Sequence, residues 1–334
     1  MKPLIGLALG SGVARGWAHI GVLHALEEAG LKPDIVAGTS IGALIGGAYV
    51  AGRLPELEAW ALRLNRLKLS RMFDFQFGGS GVIAGRRVLQ ALHPDILSFD
   101  IADLPIPFVC VATDLASGHE VWLRDGSLIE SLRASYAVPG LFPPVDKDGR
   151  WLIDGALANP VPVSVCRAMG AHLTIAVNLS GEAFGESPAD DVIDVSDGSA
   201  EDELLAEQAT RGSFPMSRLQ LVRQFFRRSN GAPSVFAVMA RSLYIVQDRI
   251  ARSRLAGDPP DATIFPRLSH IGILEFHRAR ESILAGELAA RALVPRLKEL
   301  IQQFERARGL WKKVGANDSA RIVGCADHRR LHSR

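Results

Sequence analysis

Residues 4–52 read LIGLALGSGVARGWAHIGVLHALEEAGLKPDIVAGTSIGALIGGAYVAG. Leu4–Leu9 is a short apolar run stopped by glycine, the pattern of a strand buried on both faces. Gly10–Gly16 (GSGVARG) reads as a loop, Trp17–Ala29 as a helix ended by Gly30, and Asp34–Ala37 as a second strand. Ser40–Ala51 reads as a helix packed on all sides and stopped by Gly52. Strand, loop, helix, strand, turn and helix in so short a span describe a βαβα unit. The expected fold class is therefore α/β, with a mainly parallel sheet covered by helices. Ile35–Gly52 is free of charge over 18 residues, the lower limit for a membrane span, but its five glycines, Thr39 and Ser40 favour a buried strand plus helix.

Further along, Pro55–Lys68 predicts an exposed helix, Ile106–Ala112 a buried strand, Glu120–Leu123 an antiparallel edge strand and Leu128–Ala134 a short helix. Trp151–Ile153 and His172–Val177 read as strands separated by a helix around Val161–Met169. Helices follow at about Ser217–Arg228, Ser234–Leu255 and Leu274–Ala307, the last with Pro295 as a kink site. Ala262–Phe265 is a strand that can return to the sheet, and the chain beyond Gly309 reads as a loose tail.

The chain has 334 residues and a formal net charge of +2, which selects no partner class. The charge is segregated, however. Residues 182–210 hold 10 acids and no Lys or Arg, whereas residues 211–334 hold 23 bases and 10 acids. This divides the chain into a domain at 5–181, an acidic mobile linker or flap at 182–210, a helical basic part at 211–308 packing on the core, and a tail at 309–334. The helix Ser217–Arg228 carries Leu219, Val222 and Phe226 on one side, with Arg223, Arg227 and Arg228 mostly opposite. Docking on the protein is the commoner use of such a stripe, and a lipid-surface helix is the alternative. No aromatic interleaving or motif supports a nucleic-acid partner. Cys110, Cys166 and Cys325 form no disulfide framework and no metal-type spacing. Lys2 precedes an apolar run, but glycines and Arg15 follow at once, so a strand fits better than a leader peptide. The expected location is cytoplasmic, peripheral at most to the inner face of a membrane.

Chemistry centres on Gly38-Thr39-Ser40-Ile41-Gly42, a G-x-S-x-G string between a strand and a helix. In that context a serine sits on a tight, strained turn, glycines let strand and helix approach, and the helix N-terminus favours developing negative charge. The plainer reading is a Gly-rich turn closing a β–α unit. The loop Gly10-Ser11-Gly12-Val13-Ala14-Arg15-Gly16 ends the neighbouring strand and can aim backbone N–H groups into the same crevice. It does not fit a dinucleotide fingerprint: Arg15 stands where glycine is needed, and no acid ends the second strand. Asp154-Gly155-Ala156 follows a predicted strand, and burial would raise the basicity of Asp154 enough to activate a serine. A histidine-containing triad has His270, His277, His328 and His332 as candidates. The serine comes too early in the chain for the usual order, and His19 and His24 read as packing or capping residues.

These strings, with Arg133-Ala134-Ser135-Tyr136-Ala137-Val138-Pro139-Gly140-Leu141-Phe142-Pro143-Pro144, Ala256–Asp261 (AGDPPD) and Glu275-Phe276-His277-Arg278-Ala279, resemble the patatin-like phospholipase family, and within it the bacterial neuropathy-target-esterase-related, RssA-like group. The similarity is strongest over residues 3–181. The resemblance implies a three-layer α/β/α fold and a hydrolase of lipid acyl esters, of phospholipase A, lysophospholipase or carboxylesterase type. It implies Ser40 as nucleophile, Asp154 as base, and an oxyanion hole at Gly10, Gly12 and Val13. Arg15, Gly16, Gly38, Gly42, Gly155 and Ala156 fall on the family's supporting positions. No cofactor or metal is implied. The family often has glycine where Val13 stands, and valine resists positive φ, so a different backbone geometry or a less well-formed hole is expected there. Acyl transfer through the same dyad and lipid binding with little turnover are the alternative functions.

Overall fold

Ile5–Leu9 forms β1, buried along its whole length as a continuous apolar run requires. Ile5, Leu7 and Leu9 enter one hydrophobic core while Ala8 enters another on the opposite face. The same alternation recurs in the strand at 108–114, where Phe108, Cys110 and Ala112 face one core and Val109 and Val111 the other. A sheet with two apolar faces needs two covering layers, and it has them. The computed structural model describes residues 2–65, 98–180 and 235–327.

The elements in chain order are β1, α1 (Ala18–Glu28), β2 (Ile35–Thr39), α2 (Ile41–Val50), α3 (Leu54–Leu62), β3 (Phe108–Asp114), β4 (Glu120–Leu123), α4 (Leu128–Ser135), β5 (Val145–Lys147), β6 (Arg150–Asp154), α5 (Val163–Ala168), β7 (Leu173–Val177), α6 (Val235–Gly257), β8 (Ala262–Ile264) and α7 (Ala279–Asp327). The eight strands form one sheet. The pairs β1–β2, β1–β7, β2–β3 and β7–β8 are parallel, and β4 and β6 run antiparallel to β3. The uncharged stretch is thus β2 followed by α2. Among the described residues no helix is long and apolar enough to cross a membrane.

Register places the two ends that matter. Cys110 of β3 pairs with both Gly38 and Leu123, so β2 and β4 lie on opposite edges of β3. Ala112 pairs with both Val121 and Asp154, so β4 and β6 also lie on opposite edges. Hence β2 and β6 share one edge and meet end to end. Thr39 lies opposite Val111, and Asp154 lies opposite Ala112, one residue further on.

α7 crosses α1 at backbone contact: a Cβ on Gly286 would lie 1.9 Å from the Ala18 carbonyl oxygen, and one on Gly21 would lie 1.9 Å from that of Ile283. Three features differ from the sequence reading. The loose tail expected beyond Gly309 is helical as far as Asp327, in a stretch with no proline to stop it, and Pro295 sits inside the same helix. The loop at 10–16 gives way to a 3-10 turn over Val13–Trp17 before α1 begins. The strand expected at 151–153 is half of a hairpin, β5–β6, closed by Asp148 (φ 55°) and Gly149 (φ 76°). The acidic segment 182–210 and the helix at 217–228 lie outside the described residues.

Candidate active site

Ser40 is the residue between β2 and α2, and it holds φ 56° and ψ −122°. A non-glycine residue there is strained by roughly 1–3 kcal/mol, a cost characteristic of sharp strand-to-helix turns that present a side chain. The turn is packed too tightly for side chains beside it. A Cβ on Gly42 would lie 2.3 Å from the Leu9 carbonyl oxygen, and one on Gly155 would lie 2.1 Å from that of Val111. Gly38 and Gly16 pack on α2 at Ala43 and Ile41. Ser135, at the end of α4, fixes the turn from below: its Oγ accepts from the Ser40 N–H at 2.8 Å and donates to the Val111 carbonyl at 2.6 Å.

The end-to-end meeting of β2 and β6 brings Ser40 to Asp154. The Ser40 hydroxyl donates to Asp154 Oδ2 at 2.8 Å, and Oδ1 accepts the Ala156 N–H at 2.8 Å. Asp154 is 1% exposed. Burial raises its carboxyl from 3.8 to about 6, against the opposing pull of the Ala156 N–H and the Ser40 hydroxyl. Thr113 Oγ1 donates to the Asp154 carbonyl at 2.9 Å, and Thr39 Oγ1 to that of Asn159 at 2.8 Å, which ties the second turn to β3 and β2.

The glycine loop is held on both flanks and open between them. The Gly10 N–H donates to Val177 and the Ser11 N–H to Pro160 on one side; the Ala14 N–H donates to Ile273 on the other. Of the three positions expected to form the oxyanion hole, Gly10 has its N–H committed to Val177, whereas among the described residues the N–H groups of Gly12 and Val13 donate to nothing. Val13 takes φ 51°, the region a glycine would occupy. The valine thus adopts the backbone expected to be resisted, at a cost in strain and not by finding another geometry. Arg15 is buried, with Nε on the Ile271 carbonyl at 2.7 Å and a guanidinium N–H on Tyr244 Oη at 2.9 Å.

No histidine bonds to Ser40 or Asp154 among the described residues. His19 is buried, and its Nε2 donates to the Gly10 carbonyl at 2.8 Å. Burial lowers His19 to about 4 despite that bond, so the ring is neutral. His24 pairs with Glu58, and His270 and His277 lie beside Glu281 and Glu275; His328 and His332 fall outside the described residues. Cys110 and Cys166 are free and buried. Among the described residues no cluster of His, Cys, Asp and Glu is placed to hold a metal ion. Sequence reasoning missed the roles of Ser135, Thr113 and Tyr244. Ser135 lies in a quoted block, but its function depends on where α4 docks on β3, which no local pattern encodes.

Residues 7–167 match the model of a family described as patatin-like phospholipase. An uncharacterized NTE family protein of Mycobacterium tuberculosis is 36% identical over 340 residues, covering 87% of this chain and 92% of that protein. Human patatin-like phospholipase domain-containing protein 6 is 36% identical over 185 residues, covering 53% of this chain and 13% of that protein. Neuropathy target esterase sws of Drosophila melanogaster is 35% identical over 186 residues, again 53% of this chain and 13% of that protein.

Proposed function

The chain belongs to the patatin-like phospholipase family, and from that premise we propose that it hydrolyses acyl esters of lipids through a Ser40–Asp154 dyad. The observation that carries the proposal is the 2.8 Å hydrogen bond from the Ser40 hydroxyl to a fully buried carboxylate. Asp154 takes the Ser40 proton as Oγ attacks the ester carbonyl. A surface carboxylate is too weak a base for this, whereas burial brings Asp154 to about 6 and leaves it ionised at neutral pH. Charge developing on the carbonyl oxygen is received by the undonated N–H groups of Gly12 and Val13, assisted by the N-terminus of α2. The proton then passes from Asp154 to the leaving alcohol. In the second half, Asp154 takes a proton from water, whose oxygen attacks the acyl-serine; the bond to Oγ breaks, Asp154 returns the proton to Ser40 and the acid leaves.

A serine hydroxyl bonded to a buried carboxylate favours turnover over lipid binding alone. The test is hydrolysis of lipid and short-chain esters by the purified protein, with Ser40→Ala and Asp154→Asn alongside. Each variant is expected to lose at least about a thousandfold in kcat/KM while keeping its fold. Retained hydrolysis in either variant refutes the dyad.

A further inference from the structure

The sequence block Glu275-Phe276-His277-Arg278 has no part in the dyad, yet it closes a strap that grips the glycine loop. His270–Arg278 runs past the residues following Val13 and bonds them three times: the Ile271 carbonyl accepts from Arg15 Nε, the Ile273 carbonyl from the Ala14 N–H, and the Phe276 carbonyl from Trp17 Nε1. The strap is itself clasped shut. Glu275 Oε2 accepts from the Gly272 N–H at 2.8 Å and from Arg278 at 2.9 Å, while Arg278 also donates to the His270 carbonyl and to Glu281. From above, Tyr244 of α6 accepts from Arg15, whose guanidinium carbon lies 5.6 Å from the ring centre.

Val13 explains why such a grip is needed. A β-branched residue at φ 51° relaxes unless its neighbours are fixed on both sides. Val177 of β7 and Pro160 hold the N–H groups of Gly10 and Ser11, and the strap holds the Ala14 N–H and, together with Tyr244, the Arg15 side chain. Relaxation of Val13 would rotate the peptide that carries its N–H and so move a donor away from the site.

Resting on the function proposed above, we infer that Tyr244 and the Glu275–Arg278 clasp are positioning residues that hold the Gly12 and Val13 N–H groups toward the developing oxyanion. The C-terminal part is in this way a component of the hydrolytic site.

The test compares an oxygen ester with its thionoester, whose C=S accepts hydrogen bonds poorly, in the wild type, Tyr244→Phe and Glu275→Ala. Rates are normalised to folded protein. Loss of folded enzyme alone lowers both rates equally, whereas a displaced loop lowers the oxygen ester selectively. Each variant is expected to lose about tenfold in kcat on the oxygen ester. Its preference for oxygen over sulfur falls several-fold, and the acidic limb of its pH profile stays where it is in the wild type. An unchanged oxygen-to-sulfur preference in a hydrolytically active protein overturns this inference alone. A wild type that turns over no ester overturns the dyad reading and this inference with it. Should Glu275→Ala fail to fold, Tyr244→Phe, which removes a single hydroxyl, decides the matter.

Discussion

Asp154→Asn is expected to make the protein more stable and inactive, and the size of the gain follows from burial. In the native state the Asp154 carboxyl ionises near 6 and not 3.8, so the ionised form is disfavoured by about 3 kcal/mol relative to the unfolded chain. The sign follows from proton uptake. Between pH ~4 and ~6 the native state binds more protons at this site than the unfolded state, so stability falls as pH rises through that window. Above it the whole penalty is present; below it none is. Asparagine carries no charge, its Oδ1 can still accept from Ala156, and its amide can donate to Ser40. At pH 8 the variant should gain up to about 3 kcal/mol, which for a chain of this length is a rise of about 4 °C in Tm. At pH 4 the two proteins should melt together. Calorimetry at both pH values, with ester hydrolysis measured in parallel, checks this. A variant no more stable at pH 8, or a gain of equal size at pH 4, refutes the claim that the carboxylate is held ionised against its environment.

The same carboxyl sets the acid limb of activity: kcat/KM for an ester should fall about tenfold per pH unit below about 6 and be flat above 7, and a flat profile from 5 to 7 contradicts the assignment of Asp154 as base. Val13→Pro removes the N–H and fixes φ near −65°, so turnover should vanish. Val13→Gly should raise stability by up to about 1 kcal/mol, because it relieves the strain at φ 51°; thermal denaturation checks it. Ser135→Ala leaves the Ser40 N–H and the Val111 carbonyl without their shared partner, and should cost about 1–3 kcal/mol in chemical denaturation and roughly tenfold in kcat. Gly286→Ala drives a Cβ into the Ala18 carbonyl and should lower stability by about 3 kcal/mol or more; a variant melting with the wild type would show that α1 and α7 do not meet so closely.

The βαβα opening and the turns that carry Ser40 and Asp154 are legible because each depends on local constraints: apolar runs, a glycine-flanked turn, an acid ending a strand. The strand at Glu120–Leu123 was read with the boundaries it has. What brings Ser40 to Asp154 was not legible, since β2 and β6 share an edge of β3 only through pairings distant in sequence. The β5–β6 hairpin carries its own signature in Asp148-Gly149, the residue pair favoured where both positions have positive φ, just ahead of the stronger Asp154-Gly155-Ala156 motif. By propensity alone Val13 is an obstacle to the loop geometry, because propensity describes an unsupported backbone. The Arg15, Ile271 and Ile273 contacts that overrule it come from the other end of the chain. Tyr244 gave no signal at all, as one tyrosine on an otherwise ordinary helix.

The central claim is that Ser40 is an activated nucleophile. Covalent labelling by a fluorophosphonate, read by intact mass and peptide mapping, tests it most directly. One adduct per chain is expected, on Ser40, absent from Ser40→Ala and slowed in Asp154→Asn. No adduct on the folded wild type, or an adduct that persists in Ser40→Ala, would contradict it.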